Sequence, residues 1–262
     1  MVCLDVDGTL LNSHHQVTPA TRRVIADTMV KGTLVVLVSA RMPGGMEPIR
    51  KLLNIQNVLV CYSGALILEN SLPVYNAVLS AREVQLAVKT ACHLQVHVSM
   101  YEQNHWVTEK MDSWSKQEAE IIGIQPELKP FSLLLLQWCK RKTGPNKMLF
   151  MADADKITKL KQVFNSDAYS GIQFYRSKPT YLEAMPSKGS KRHAISFLRK
   201  RYGISREEIL AIGDNENDLD MLQYAGIGVA MGNAPASVKE QANFVTATND
   251  EDGVALAIRK FT

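Results

Sequence analysis

The chain has 262 residues, 46% of them hydrophobic and 21% charged, an ordinary globular balance with room for one large domain or two modest ones. A net charge of +4 can draw in a small anionic molecule but is too diffuse for a nucleic-acid surface. No apolar run approaches the ~18 residues of a membrane span, and the start lacks the charged and apolar regions of a signal peptide.

Val2-Cys3-Leu4 reads as a short buried strand that runs out at Asp5-Val6-Asp7-Gly8-Thr9-Leu10. In extended backbone Asp5 and Asp7 point to one face, where at ~4 Å and an effective dielectric of about 20 they repel by roughly 4 kcal/mol. A cation between them, protonation of one, or one turning away relieves that cost. Gly8 lets the backbone leave the strand without steric penalty, although Asp and Gly are also common in plain surface turns.

Thr18-Pro19 opens a helix that stops at Gly32. Leu34 to Val38 is an unbroken apolar run, as in a strand covered on both faces, and it ends in Ser39-Ala40-Arg41. A helix from about Met46 to Leu53 and a strand from Val58 to Cys61 follow. This alternation predicts a parallel sheet with right-handed crossovers, its polar strand ends Asp5 and Ser39 on one edge.

The rhythm then changes. A hairpin is expected from Ala65 to Tyr75, helices near Ala81, Ser113 and Asp155, and strands at 95–101, 105–108, 133–139, 147–151 and 173–177. The run Ser132 to Trp138 reads as a buried strand by length, and Lys140-Arg141-Lys142 as a solvated hairpin tip. Trp106, Trp114 and Tyr101 read as core residues before they read as a ligand-facing surface. From Thr180 the α/β rhythm returns, with a helix over 191–202, a strand over 209–212 ending in Gly213-Asp214-Asn215-Glu216-Asn217-Asp218, and a final helix from Gly253. The pattern predicts a discontinuous α/β core, residues 1–78 and 183–262, with an α+β cap, 79–182, inserted between its halves.

The strand ends carry the polar groups that phosphoryl transfer needs. Asp5, Asp7, Asp214 and Asp218 form an oxygen-only set that favours a hard cation, Mg²⁺ before Ca²⁺. Ser39 offers a hydroxyl and neighbouring N–H groups near a helix start, a cradle for phosphate. The four cysteines (Cys3, Cys61, Cys92, Cys139) are too scattered for a zinc site and read as buried free thiols of a reducing compartment, here the cytoplasm.

Taken together, these motifs resemble the haloacid-dehalogenase-like hydrolase superfamily, and within it the Cof-type phosphatase branch with a large α/β cap. The resemblance rests on Asp5 to Leu11, Ser39-Ala40-Arg41, Thr180-Tyr181-Leu182-Glu183 with Lys191, Gly213 to Asp218, Val229 to Ala234, and Asp252-Gly253-Val254. It implies a doubly wound, mainly parallel Rossmann-like core and a Mg²⁺-dependent phosphatase of small phosphorylated metabolites, sugar phosphates among them. In that resemblance Asp5 is the nucleophile. Asp7 is the proton donor and acceptor, its backbone carbonyl also helping to hold Mg²⁺. Asp214 is a metal ligand, Asp218 supports the metal, and Ser39, the Ala40 N–H and Asn217 bind the phosphoryl group.

Two lysines compete for one further catalytic and substrate-binding role, that of supplying the compensating positive charge. Lys188-Gly189 matches the family's Lys-Gly pair, but the family's spacing from Glu183 and from Pro186 lands on Lys191. The chain departs from the family pattern in Ala40 for Gly, Arg192 for Gly, Ser63-Gly64 for Asn-Gly, and a lead of only four residues before Asp5, short beside about five or six in a typical strand. That short lead is consistent with a truncated start. A sugar phosphomutase and a catalytically silent phosphometabolite-binding protein are the alternatives, the second disfavoured by retention of both Asp5 and Asp7. No obligate protein partner is indicated.

Overall fold

The computed structural model describes residues 1–262. In chain order the elements are β1 (Val2–Leu4), α1 (Pro19–Val30), β2 (Val35–Val38), α2 (Pro43–Leu52), β3 (Val58–Cys61), β4 (Leu66–Glu69) and β5 (Leu72–Asn76). Then come α3 (Ala81–His93), β6 (His97–Glu102), β7 (His105–Thr108), α4 (Ser113–Ile122), β8 (Glu127–Leu128), α5 (Phe131–Arg141), β9 (Lys147–Met151), α6 (Ala154–Phe164), β10 (Ile172–Lys178) and β11 (Tyr181–Pro186). The chain ends with α7 (Lys191–Tyr202), β12 (Leu210–Gly213), α8 (Leu219–Tyr224), β13 (Ile227–Ala230), α9 (Ala236–Lys239), β14 (Phe244–Val245) and α10 (Gly253–Phe261).

These divide into two compact units. The first comprises residues 1–41, 46–75 and 190–262, and the second 42–45 and 76–189. A boundary between 182 and 183 would cut β11, all of whose residues are buried in the second sheet.

The first unit is built on a sheet of order β14-β13-β12-β1-β2-β3-β4-β5. Its pairings from β14 to β3 are parallel, and β3 pairs antiparallel with β4. Every residue of β1, β2 and β3 is buried, which is why these strands read as continuous apolar runs. Cys3, Val36, Val38 and Val60 pack with Ile195 and Leu198 of α7 and Met221 and Leu222 of α8. Helix α1 lies against β2 and against α10, which in turn meets β12. From β1 the chain moves to β2 on one side and returns through β12 on the other, so a crevice opens beyond the ends of β1, β2 and β12.

The second unit has a sheet of order β10-β11-β9-β6-β7-β8, antiparallel except between β7 and β8. One face packs Val98, Met100, Met148, Phe150 and Leu182 against α3, α5 and α6. Tyr101 and Trp106 are buried and stacked, with ring centroids 5.8 Å apart, while Trp114 is half-buried.

Residues 133–139, expected as a strand, form the body of helix α5. Phe131, Leu134 and Trp138 are buried at helical spacing, while Leu133 and Leu136 are 53% and 60% exposed. Leucine on both the buried and the exposed faces erases the period a sequence reading depends on, and length alone then points the wrong way. Lys140 and Arg141 accordingly occupy the last turn of α5, and Lys142, at φ 51°, ends it in the left-handed region; there is no hairpin tip. Cys3 and Cys61 are buried as expected, but Cys92 and Cys139 stand exposed on α3 and α5.

Candidate active site

Within the first unit, the ends of β1 and β12 and the start of α7 bring Asp5, Asp214, Asp218 and Lys191 together. Asp5 leaves β1 with its N–H on the Ile212 carbonyl, 3.0 Å away, which ties the two strand ends side by side. Asp214 follows β12. Asp218 closes the short turn Glu216–Asp218 that turns back beneath it. One oxygen from each of the three carboxylates lies within 4.8 Å of the others.

Lys191 is the counter-charge at this centre. Its Nζ donates to Asp5 Oδ1 and to Asp218 Oδ1, each at 2.5 Å, and the side chain is inaccessible to solvent. Ser190 opens α7 as its N-cap, accepting from the His193 N–H, and so sets Lys191 at the first helical position. Burial alone would push the ammonium pKa down, but Asp218 and Asp5 outweigh it and hold Lys191 above the ordinary lysine value. Lys188, in contrast, is exposed and belongs to the second unit.

The carboxylates are not equivalent. Asp218 Oδ2 accepts from the Asp214 and Asn215 N–H groups, both at 3.0 Å, while Oδ1 takes Lys191, so both oxygens are committed to protein donors. Asp214 Oδ1 accepts from the Thr9 hydroxyl at 2.7 Å. Burial pushes the Asp214 carboxyl up to about 6. Burial, and next Asp218, raise Asp5 well above the usual carboxylate range. When all three are ionised, three carboxylates against one ammonium leave two negative charges uncompensated among protein groups alone, a cost that adds to burial in raising Asp5 and Asp214. An oxygen-only, carboxylate-rich centre with that deficit fits a hard divalent cation.

Asp7 lies elsewhere. It stands exposed just beyond β1, and its two oxygens meet Arg41 in a bidentate pair, Nε–Oδ2 at 2.8 Å and Nη2–Oδ1 at 2.6 Å. Of the ways to relieve repulsion between Asp5 and Asp7, the chain therefore turns one carboxylate away. Gly8 makes the turn. Its φ is +81°, and a Cβ there would come 2.4 Å from Asp214 Oδ2, so any side chain would both strain the backbone and displace that carboxylate.

Ser39 directly follows β2, buried, with its Oγ accepting from the Arg41 N–H at 3.2 Å. Ala40 is outside the left-handed region, so the alanine imposes no strain where the family has glycine. The turn after β3 closes onto this segment: Tyr62 N–H donates to the Arg41 carbonyl and Ser63 N–H to the Ser39 carbonyl. Tyr62 and Ser63 are both left-handed, at φ 52° and 50°, a conformation in which asparagine is more at ease than serine. Asn217 sits half-buried on the Glu216–Asp218 turn. In the sequence Arg41 and Thr9 stand out only as parts of longer motifs. Their sequence signal is adjacency to Ser39 and to Gly8, which does not reveal that each holds a carboxylate.

Comparison with known proteins agrees with this arrangement. The sequence model of the haloacid dehalogenase-like hydrolase family matches residues 2–258. A Haemophilus influenzae protein, whose name goes no further than the word phosphatase, is 36% identical over 259 residues, covering 98% of this chain and 95% of its own. A Bacillus subtilis 5-amino-6-(5-phospho-D-ribitylamino)uracil phosphatase is 28% identical, covering 99% of this chain and 94% of its own. The crystal structure of a haloacid dehalogenase-like hydrolase from Bacteroides thetaiotaomicron superposes with a TM-score of 0.88 at 31% identity, covering 100% of this chain and 98% of that one.

Proposed function

The chain belongs to the haloacid dehalogenase-like hydrolase family, and we propose that it is a Mg²⁺-dependent phosphatase of small phosphorylated metabolites, sugar and polyol phosphates among them. The observation that carries this reading is the pairing of buried Asp5 with half-buried Asp214, with Lys191 shared between Asp5 and Asp218, at the crevice of a doubly wound sheet. The named substrate of the B. subtilis relative, a phosphate ester on a polyol chain, supports the substrate class.

Asp5 is the nucleophile: one of its oxygens bonds to phosphorus while the bond from phosphorus to the leaving alkoxide breaks, giving an aspartyl-phosphate. Asp7, released from Arg41 and protonated, hands its proton to that alkoxide. It then takes one from the water that splits the acyl phosphate and frees inorganic phosphate and Asp5. Lys191 compensates charge on Asp5 and the phosphoryl oxygens, and Ser39, the Ala40 N–H and Asn217 orient the phosphoryl group. Asp5 and Asp214 would hold Mg²⁺, with the Asp7 backbone carbonyl. Asp218, its oxygens already committed, props the Asp214 loop. Bound there, Mg²⁺ supplies charge stabilisation at the transferring phosphoryl group. Choice among leaving groups is assigned to the second unit, so substitutions in it should reorder substrate preference while the phosphoryl chemistry survives.

The test is phosphate release over a panel of phosphorylated metabolites with Mg²⁺, for wild type and Asp5→Asn. Release by the wild type, lost in the nearly isosteric variant and lost with a chelator, is expected. Full turnover by Asp5→Asn would rule out the covalent mechanism.

A further inference from the structure

Between β1 and α1, residues 5–18 form no helix and no ladder beyond the single bridge of Asp7 to Leu11, yet this stretch carries Asp7 and Thr9. Within itself the segment is tied by Leu11 N–H to the Val6 carbonyl and Asn12 N–H to the Gln16 carbonyl. Beyond such local bonds and those of Asp5, Asp7 and Thr9 described above, the segment is held by one distant stretch of chain. Asn233 Nδ2 donates to the Gly8 carbonyl at 2.8 Å, and Asn249 Nδ2 to the Leu11 carbonyl at 2.9 Å. The two asparagines are themselves joined, Asn249 N–H to Asn233 Oδ1 at 3.0 Å. Further along, Asp250 Oδ1 accepts from Ser13 N–H, and Asp252 Oδ1 from the Thr18 and Thr21 hydroxyls.

Two glycines let the Met231–Asn233 and Ala247–Gly253 parts of that stretch lie against each other. A Cβ on Gly232 would come 2.7 Å from the Thr248 nitrogen, and one on Gly253 2.1 Å from the Ala247 carbonyl oxygen. These glycines and Asn233 belong to the signatures at 229–234 and 252–254, to which the chemistry assigns no role.

The bond to Gly8 is the informative one. Gly8 has φ +81° and no side chain, so nothing in the residue itself fixes the peptide plane that follows it. Asn233 holds that plane by its oxygen. On one side of Gly8 stands Asp7. On the other is Thr9, whose hydroxyl donates to Asp214. Asn249 holds the far end of the same turn.

We propose that Asn233 and Asn249 are positioning residues, a pair of amide clamps that fix the Gly8–Leu11 turn and through it the directions of Asp7 and Thr9. The clamp stands on geometry alone, while its effect on turnover rests on the phosphatase reading above.

Asn233→Asp and Asn249→Asp keep size and acceptor but remove the donating NH₂. Glu240→Ala, on an exposed residue of the same C-terminal stretch, is the control. Hydrogen exchange of peptides spanning 5–12 should quicken by ~10-fold in each asparagine variant, as expected for losing one hydrogen bond, with exchange elsewhere unchanged and no change in the control. With a phosphate ester that the wild type hydrolyses, kcat should fall by ~10- to 100-fold, as misplacement of a reacting group can cause, with KM within about threefold of wild type. Unchanged exchange in 5–12 overturns the clamp. Quickened exchange with unchanged kcat, or a loss confined to KM, overturns the positioning role. A wild type that releases phosphate from no ester sinks the phosphatase reading instead, and the exchange measurement still decides whether the clamps exist.

Discussion

Replacing Lys191 by Met removes the only ammonium among three carboxylates while keeping most of the side-chain volume. Each ion pair is 2.5 Å long, so at an effective dielectric of about 20 the gross attraction is roughly 6–7 kcal/mol per pair. Most of that offsets the cost of taking Lys191, Asp5 and Asp218 out of water. The net cost of breaking a buried pair is typically about 3–5 kcal/mol, because it strands the partner charge. For a domain of this size, at about 2–4 °C per kcal/mol, Tm should fall by roughly 6–20 °C. Added Mg²⁺ should recover part of the loss if the carboxylates hold it, since a ligand that binds only the folded state stabilises it. Phosphatase kcat/KM should drop by ~100-fold or more, as losing a charge-stabilising donor can cause. Lys188→Ala, at an exposed position, should stay within about 0.5 kcal/mol of wild type and change activity only several-fold. Thermal melts with and without Mg²⁺, beside steady-state kinetics for both variants, make the comparison. A Lys191→Met protein that melts like wild type would refute the buried-centre argument, and a larger kinetic loss in Lys188→Ala would move the site to Lys188.

Gly8→Ala should cost ~1–3 kcal/mol as a left-handed strain and weaken Mg²⁺ binding by pushing Asp214 aside. Wild-type values in both a melt and a calorimetric Mg²⁺ titration would contradict this. In α5, Leu134→Ala should lose ~2–5 kcal/mol while Leu136→Ala stays within ~0.5 kcal/mol; equal losses in denaturant melts would restore the strand, whose alternate residues share a face. In the second unit, His97 Nδ1 lies 2.9 Å from Asp112 Oδ2, and burial pushes its pKa below the ordinary 6.5 although Asp112 opposes the shift. The unfolded chain therefore takes up this proton first, so stability present above about pH 6.5 is lost as the pH falls below it. His97→Gln should flatten Tm against pH over about 7.5 to 5.5, and an unchanged slope would remove His97 as its source.

The amino-acid sequence determined the parts of this protein that depend on local pattern. Continuous apolar runs at 35–38 and 58–61 read as strands covered on both faces, and their alternation with helices led to the parallel core. Carboxylates directly after two such strands were visible as candidates before any fold was known, and motif spacing favoured Lys191 over Lys188. Tertiary structure decided what depends on partners far along the chain. Helix α5 is a helix because Leu134 and Trp138 find a core that Leu133 and Leu136 do not, a distinction leucine alone cannot encode. Asp7 leaves the face of Asp5 because Arg41, 34 residues away, offers it two donors. The Asp7 turn takes its hold from Asn233 and Asn249, more than two hundred residues on. Local periodicity records which way a side chain points. Which oppositely charged or hydrogen-bonding group waits there is set only when the strands of the sheet are ordered.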